Sequence, residues 1–114
     1  MGNYYQGSFE YISALPAGSM SSTAEGMAKF MIAHLQNGRY GEQRILQEST
    51  ALEMHRQQFT HHPMQDGMTY GFIEQSINGR RVINHGGNTF LFATGCYLLL
   101  EENVGLFVSY NGGT

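Results

Sequence analysis

Cysteine is nearly missing from this sequence: Cys96 is the only one in 114 residues. A lone cysteine excludes an internal disulfide framework and a four-cysteine zinc site. Lysine is as scarce, with Lys29 alone. Lys and Arg together number 6 against 9 Asp and Glu, a net charge of −3. Nucleic-acid binders carry a basic field, and this chain has none, so no nucleic-acid partner is expected. Charged residues are 13% of the chain, about half the usual ~25%, which excludes a charge-rich disordered tail. Only 2 prolines occur, and the 15 glycines follow no repeat, so neither a collagen nor a proline-rich linker fits. Long apolar runs are absent too. The longest, Cys96 to Leu100, is far short of the ~20 residues that cross a bilayer. Residues 1–18 lack the basic stretch and apolar run of an export signal. Met1-Gly2 begins like a myristoylation site, but Gln6 stands where Ser or Thr is needed.

What remains is one domain's length with 41% hydrophobic residues, enough for a real core. Residues 1–18 read as loop, because Gly, Asn, Ser and Pro recur without a period. Ser22-Thr23-Ala24-Glu25 reads as a capping box, with Ser22 as N-cap. Ala24, Met27, Phe30, Met31 and Leu35 then fall three and four apart, one face of a helix. Asn37-Gly38 ends it, with Gly38 suited to the left-handed position. Arg39 to Arg44 reads as a polar turn. A second, short helix is expected from Glu48 or Ser49 to Met54 or His55, anchored by Leu52 and Met54. Residues 57–67 are polar and read as loop. From Met68 the period becomes two, with Tyr70, Phe72 and Glu74 on one face. Asn78-Gly79 is a hairpin signal of the type I′ kind. Arg80 to His85 is expected to return antiparallel, with Gly86-Gly87-Asn88 interrupting it. Phe92 to Leu100 and Val104 to Tyr110 complete the strands. Helices at 22–67 followed by strands at 68–111 predict an α+β fold, an antiparallel sheet of about four strands with two helices. Asn111 to Thr114 is expected to add no element.

Complete catalytic motifs are not found. Ser-x-x-Lys requires a serine three places before a lysine, and Gly26 stands three before Lys29. Gly-x-Ser-x-Gly is missing, as is Tyr-x-Asn. Ser109-Tyr110-Asn111 has the form Ser-x-Asn but closes an apolar strand, where packing and turn chemistry explain it. His55, His61 and His62 lie close together and His34 sits on the first helix, yet no partner has ligand spacing, so no metal is expected. Cys96, in an apolar strand, reads as a small hydrophobe. Gly86-Gly87 is more specific. Two glycines in a strand pattern have a reason, either a bulge or turn, or close approach of a ligand or another backbone.

Taken in order, several segments resemble one family. Pro16-Ala17-Gly18-Ser19-Met20 with Ser22-Thr23-Ala24-Glu25-Gly26-Met27-Ala28 resembles the lead into a helix in the serine β-lactamase-like hydrolases, the group of class C β-lactamases, DD-peptidases and esterases (penicillin-binding-protein-like). Ile45-Leu46 and Glu48-Ser49-Thr50 resemble its next helix start, and Tyr70-Gly71-Phe72 a strand. Gly79 to Thr89, containing His85-Gly86-Gly87, resembles its "HGG-T" strand, and Glu102-Asn103-Val104-Gly105 to Asn111 its closing strand. The matches run from Pro16 to Asn111.

The resemblance implies a serine that attacks a carbonyl and an acyl-enzyme that water hydrolyses. It implies that His85 is an auxiliary catalytic group, where the family often has lysine. Gly86 and Gly87 would let an acyl substrate lie along the strand, and the N–H at Asn88 would face the developing oxyanion. The resemblance implies that a histidine in place of lysine favours peptidase-like or esterase-like relatives over a dedicated β-lactamase. No cofactor is implied. The acyl substrate of the parent (peptide, β-lactam or ester) is left open. The missing Ser-x-x-Lys and Tyr-x-Asn lead to the expectation that residues 1–114 are a C-terminal portion of such a hydrolase, inactive alone and prone to self-associate through an uncovered sheet. Family habit places the parent outside the cytoplasm. The alternative is a non-catalytic binding module that kept the substrate-edge strand, and a third is a small metal-binding protein.

Overall fold

The computed structural model describes residues 2, 3 and 5–112. The loop expected at Met1 and Tyr4 and the plain ending at Gly113 and Thr114 lie outside the described residues. Three helices, α1 (Leu15–Gly18), α2 (Ala24–Leu35) and α3 (Glu48–His55), accompany a two-stranded ribbon of β1 (Arg39–Tyr40) and β2 (Gln43–Arg44). A sheet of β3 (Ile73–Ile77), β4 (Arg80–Asn88), β5 (Ala93–Leu99) and β6 (Val104–Tyr110) follows. Its order is β3-β4-β5-β6, and every neighbouring pair is antiparallel. The fold is therefore α+β.

Helix α2 starts one residue later than its capping box predicts. Thr23 is the N-cap, and its Oγ1 accepts from the Gly26 N–H at 3.0 Å. Ser22 Oγ instead donates to the Thr23 carbonyl at 3.4 Å. At the other end Asn37 (φ +50°) takes the left-handed C′ position that the sequence assigns to Gly38. The Gly38 N–H reaches back to the Ala33 carbonyl at 2.7 Å and the Asn37 N–H to the His34 carbonyl at 3.0 Å, a Schellman closure. Gly38 has φ +91°, and a Cβ there would lie 2.4 Å from the Leu46 carbonyl oxygen. Its own carbonyl accepts from Ile45 N at 2.8 Å. The polar stretch 39–44 is thereby drawn into a hairpin rather than a plain turn.

The core lies between α2, α3 and one face of the sheet. Met31, Phe72, Ile83, Cys96 and Leu98 form it, with Leu35, Met54 and Phe107 packed alongside. Ile83 and Leu98 are opposite one another across β4 and β5, and both are fully buried. A Cβ at Gly105 would stand 3.1 Å from Met31 Sδ, so β6 approaches α2 closely there. Phe30 is 40% exposed, and in α3 the buried residues are Ala51 and His55, while Leu52 is exposed. The expected anchor is thus half right: Met54 packs, Leu52 does not.

Strand β3 begins at Ile73, later than the period of two predicts. Gly71 has φ +84°, which breaks an extended path at that residue. Tyr70, left outside the strand, is exposed, while Phe72 and Glu74 are buried. Asn78 (φ +51°) and Gly79 (φ +74°) make the type I′ turn between β3 and β4. At the N-terminal side the single turn α1 interrupts what reads as loop. Pro16 in its first turn presets the helical φ. The radius of gyration is 16.1 Å, against roughly 13 Å for a compact domain of this length. The exposed run ahead of α2, with Tyr5, Phe9 and Tyr11 in solvent, lies outside the packed body.

Candidate functional site

The His85-Gly86-Gly87-Asn88 segment forms the second half of β4. Contrary to the expected interruption, the strand runs on through all four residues. Its partners on β5 are Cys96, Gly95, Thr94 and Ala93 in turn. Two features sustain the ladder: glycine faces glycine at 86 and 95, and Thr94 Oγ1 donates to the Gly87 carbonyl at 3.2 Å. On the other side the pairing with β3 reaches no further than Ile73 opposite Asn84, where β3 begins. Among the described residues, then, His85 to Asn88 is paired along one edge only, and all four are exposed.

Nothing in the fold itself demands glycine at 86. Neither Gly86 nor Gly87 has a positive φ. A Cβ at Gly86 would meet only the Thr94 carbonyl at 3.5 Å, an ordinary contact, whereas one at Gly87 would press to 3.1 Å on the Thr94 hydroxyl. Neither a bulge nor a turn forms at Gly86-Gly87, which lie in a regular paired strand.

Beyond Asn88 the chain turns tightly. The Thr89 N–H donates to the Phe92 carbonyl at 2.8 Å, and Thr89 Oγ1 accepts from Phe92 N at 3.0 Å. Glu10 Oε1 accepts from the Phe90 N–H at 3.0 Å and so ties the N-terminal segment to this turn. Hydrogen bonding, chiefly from Thr89 and then from the Phe90 and Leu91 amides, holds the Glu10 carboxyl below its ordinary range. Eighty positions separate the partners, and no local sequence signal points to them.

The other histidines are dispersed. His61 and His62 stay in the exposed 57–67 segment, where Met64 N donates to His62 Nδ1 at 3.1 Å. His34 and His55 meet in the core, 2.9 Å between Nδ1 and Nε2. Sequence reading misses this pair; its one signal is that His34 follows Met31 by three on the apolar side of α2. Among the described residues, no three His, Cys, Asp or Glu side chains converge as a metal site requires. Cys96 is buried, and burial pushes its thiol pKa up, as befits a packing residue. Ser109 lies in β6 opposite Thr94.

A charge pair between buried Glu74 and half-buried Arg81 also goes unforeseen. Glu74 accepts from Arg81 Nε at 2.7 Å, from Arg81 Nη2 and Gln57 Nε2, and from the Gly67 N–H at 3.1 Å. It fixes the 57–67 segment to the sheet. Two shallow depressions lie beside α3, one at Met54 and Tyr70, the other at Leu52, Arg81 and Leu100, both away from the bare edge. The edge is one wall without an opposing one among the described residues. No helix among them is long and apolar enough to cross a membrane.

A family model described as Beta-lactamase matches residues 1–114. No curated protein and no solved structure matches the chain.

Proposed function

The chain belongs to the beta-lactamase family, and from that premise we propose that it carries the substrate edge of a serine acyl hydrolase but not the nucleophile. The observation that carries this reading is the half-paired, exposed His85–Asn88 segment with a glycine that the fold does not require. An extended acyl group adds to such an edge as an extra strand would, through main-chain hydrogen bonds, and a side chain at Gly86 or Gly87 would hold it off. The Asn88 N–H stabilises the oxyanion as the carbonyl becomes tetrahedral. His85 hydrogen-bonds the substrate or the tyrosine that shuttles protons. The serine that attacks, the lysine that activates it and the Tyr-x-Asn element lie outside residues 1–114, since the sequence holds neither Ser-x-x-Lys nor Tyr-x-Asn. The residues are therefore a C-terminal portion of the hydrolase and inactive alone. Peptide, β-lactam and ester acyl groups all suit the edge. Export of the parent belongs to the same reading.

The uncovered sheet adds a second part. Val104, Leu106, Val108 and Tyr110 are all exposed on β6, which is also an edge strand without a charged residue. Such an edge pairs with another copy of itself. We expect association at micromolar concentration, and a clean monomer by sedimentation contradicts it.

The catalytic test is incubation with a chromogenic cephalosporin and a p-nitrophenyl ester, read by mass spectrometry. No turnover and no adduct are expected. Stoichiometric acylation of a serine in this chain overturns the reading.

A further inference from the structure

The contact between His34 and His55 is used by no step proposed above. Both imidazoles are buried, at 2% and 4% exposure. Phe72 lies edge-on to both, at ring-centre distances of 5.3 and 6.3 Å, and Phe30 stands edge-on to His34 at 4.5 Å. His55 Nδ1 is buried with no hydrogen-bond partner. Two neutral rings share a single N–H across the 2.9 Å contact. One added proton puts a positive charge into this apolar setting, and a second sets N–H against N–H and breaks the contact.

Among the surrounding charges, that of Arg81 opposes protonation of His55. From β4, the Arg81 guanidinium donates to the His55 carbonyl at 2.6 Å. From β3, Glu74 neutralises Arg81 rather than the rings. Arg56 on the α3 side and Glu101 from the β5–β6 turn flank the neighbouring depression. Arg56 is engaged by Glu53. Burial, then the charges of His34 and Arg81, pull His55 down to about 4, and burial lowers His34 as well.

The geometry points to an acid-sensitive clasp: His34 and His55 hold α3 against α2 while both rings are neutral, and protonation releases α3 while the sheet stays folded. Helix α3 is well suited to separate release. It has eight residues, no side-chain cap, and only Ala51 and His55 fully buried.

Hydrogen exchange of the whole chain, from about pH 7 down to about pH 4, tests this. Protection of the α3 amides is expected to fall at least about tenfold relative to β5 and β6 amides, in the same step in which the His34 and His55 ring resonances titrate. The double variant His34→Leu/His55→Phe is expected to lose that step. Parallel loss of protection in α3 and the sheet, or titration of both rings with α3 still protected, overturns the proposal in the unaltered chain whether or not the variant folds. An unchanged step in a folded double variant overturns it too.

Discussion

Nδ1 of His34 and Nε2 of His55 lie 2.9 Å apart and join α2 to α3 through the core. The pair sits where an apolar contact would serve packing equally well. It therefore makes the stability of this region depend on protonation, as an apolar contact would not.

The dependence has a definite sign. His55 is lowered from 6.5 to about 4, first by burial and then by the charges of His34 and Arg81. The unfolded chain thus binds a proton that the folded chain resists. Its contribution is fully present above about pH 6.5 and is lost as pH falls toward about 4. Urea unfolding at stepped pH should show a loss of about 1–3 kcal/mol across that window.

Glu74→Leu should be among the most damaging single changes at a polar residue. The carboxylate is 5% exposed and satisfies Arg81, Gln57 and the Gly67 amide together. Removing it strands a partly buried guanidinium, at a cost of about 2–4 kcal/mol in urea unfolding. Glu74→Gln should cost less.

Leu98→Ala removes a fully buried side chain opposite Ile83. A loss of about 2–5 kcal/mol is expected, read as a lower thermal midpoint with the same far-ultraviolet spectrum before melting.

Two glycine substitutions should behave oppositely. Gly38→Ala meets both a φ of +91° and a carbonyl oxygen at 2.4 Å, so a loss of about 2 kcal/mol or more is expected. Gly86→Ala meets only an ordinary 3.5 Å contact in a strand, so stability should hold or rise by up to about 1 kcal/mol. If the edge binds acyl groups, the second change should abolish amide shifts at Gly87 and Asn88 on titration with an acyl-D-alanine peptide.

Glu10→Gln should speed amide exchange at Phe90 without moving the global unfolding transition. The tether is made at an exposed carboxylate, whose Oε1 accepts from the Phe90 N–H at 3.0 Å.

Legibility in the sequence follows the range of the interaction. Asn78-Gly79 is read correctly because both left-handed angles belong to the turn residues themselves. The close of α2 is read to within one residue, since asparagine and glycine both adopt that conformation. The β1–β2 ribbon is missed: two-residue strands carry no period, and what holds the region is Arg44 Nη1 donating to the Asn37 and Leu46 carbonyls at 2.9 Å each. The His85-Gly86-Gly87-Asn88 segment stands out in the sequence, but its strand continuity does not. Continuity depends on Gly95 and Thr94 arriving opposite, which only the β5 register decides. The His34–His55 and Glu74–Arg81 pairs are likewise invisible until distant elements meet.

The meander order β3-β4-β5-β6 has a kinetic consequence. Each strand is joined to its neighbour by a short connection, at residues 78–79, 89–92 and 100–103. Closing such loops costs little chain entropy, and each hairpin extends a template already formed. The sheet can thus zip up in chain order as soon as residues 73–110 are available, without waiting for any distant segment to arrive.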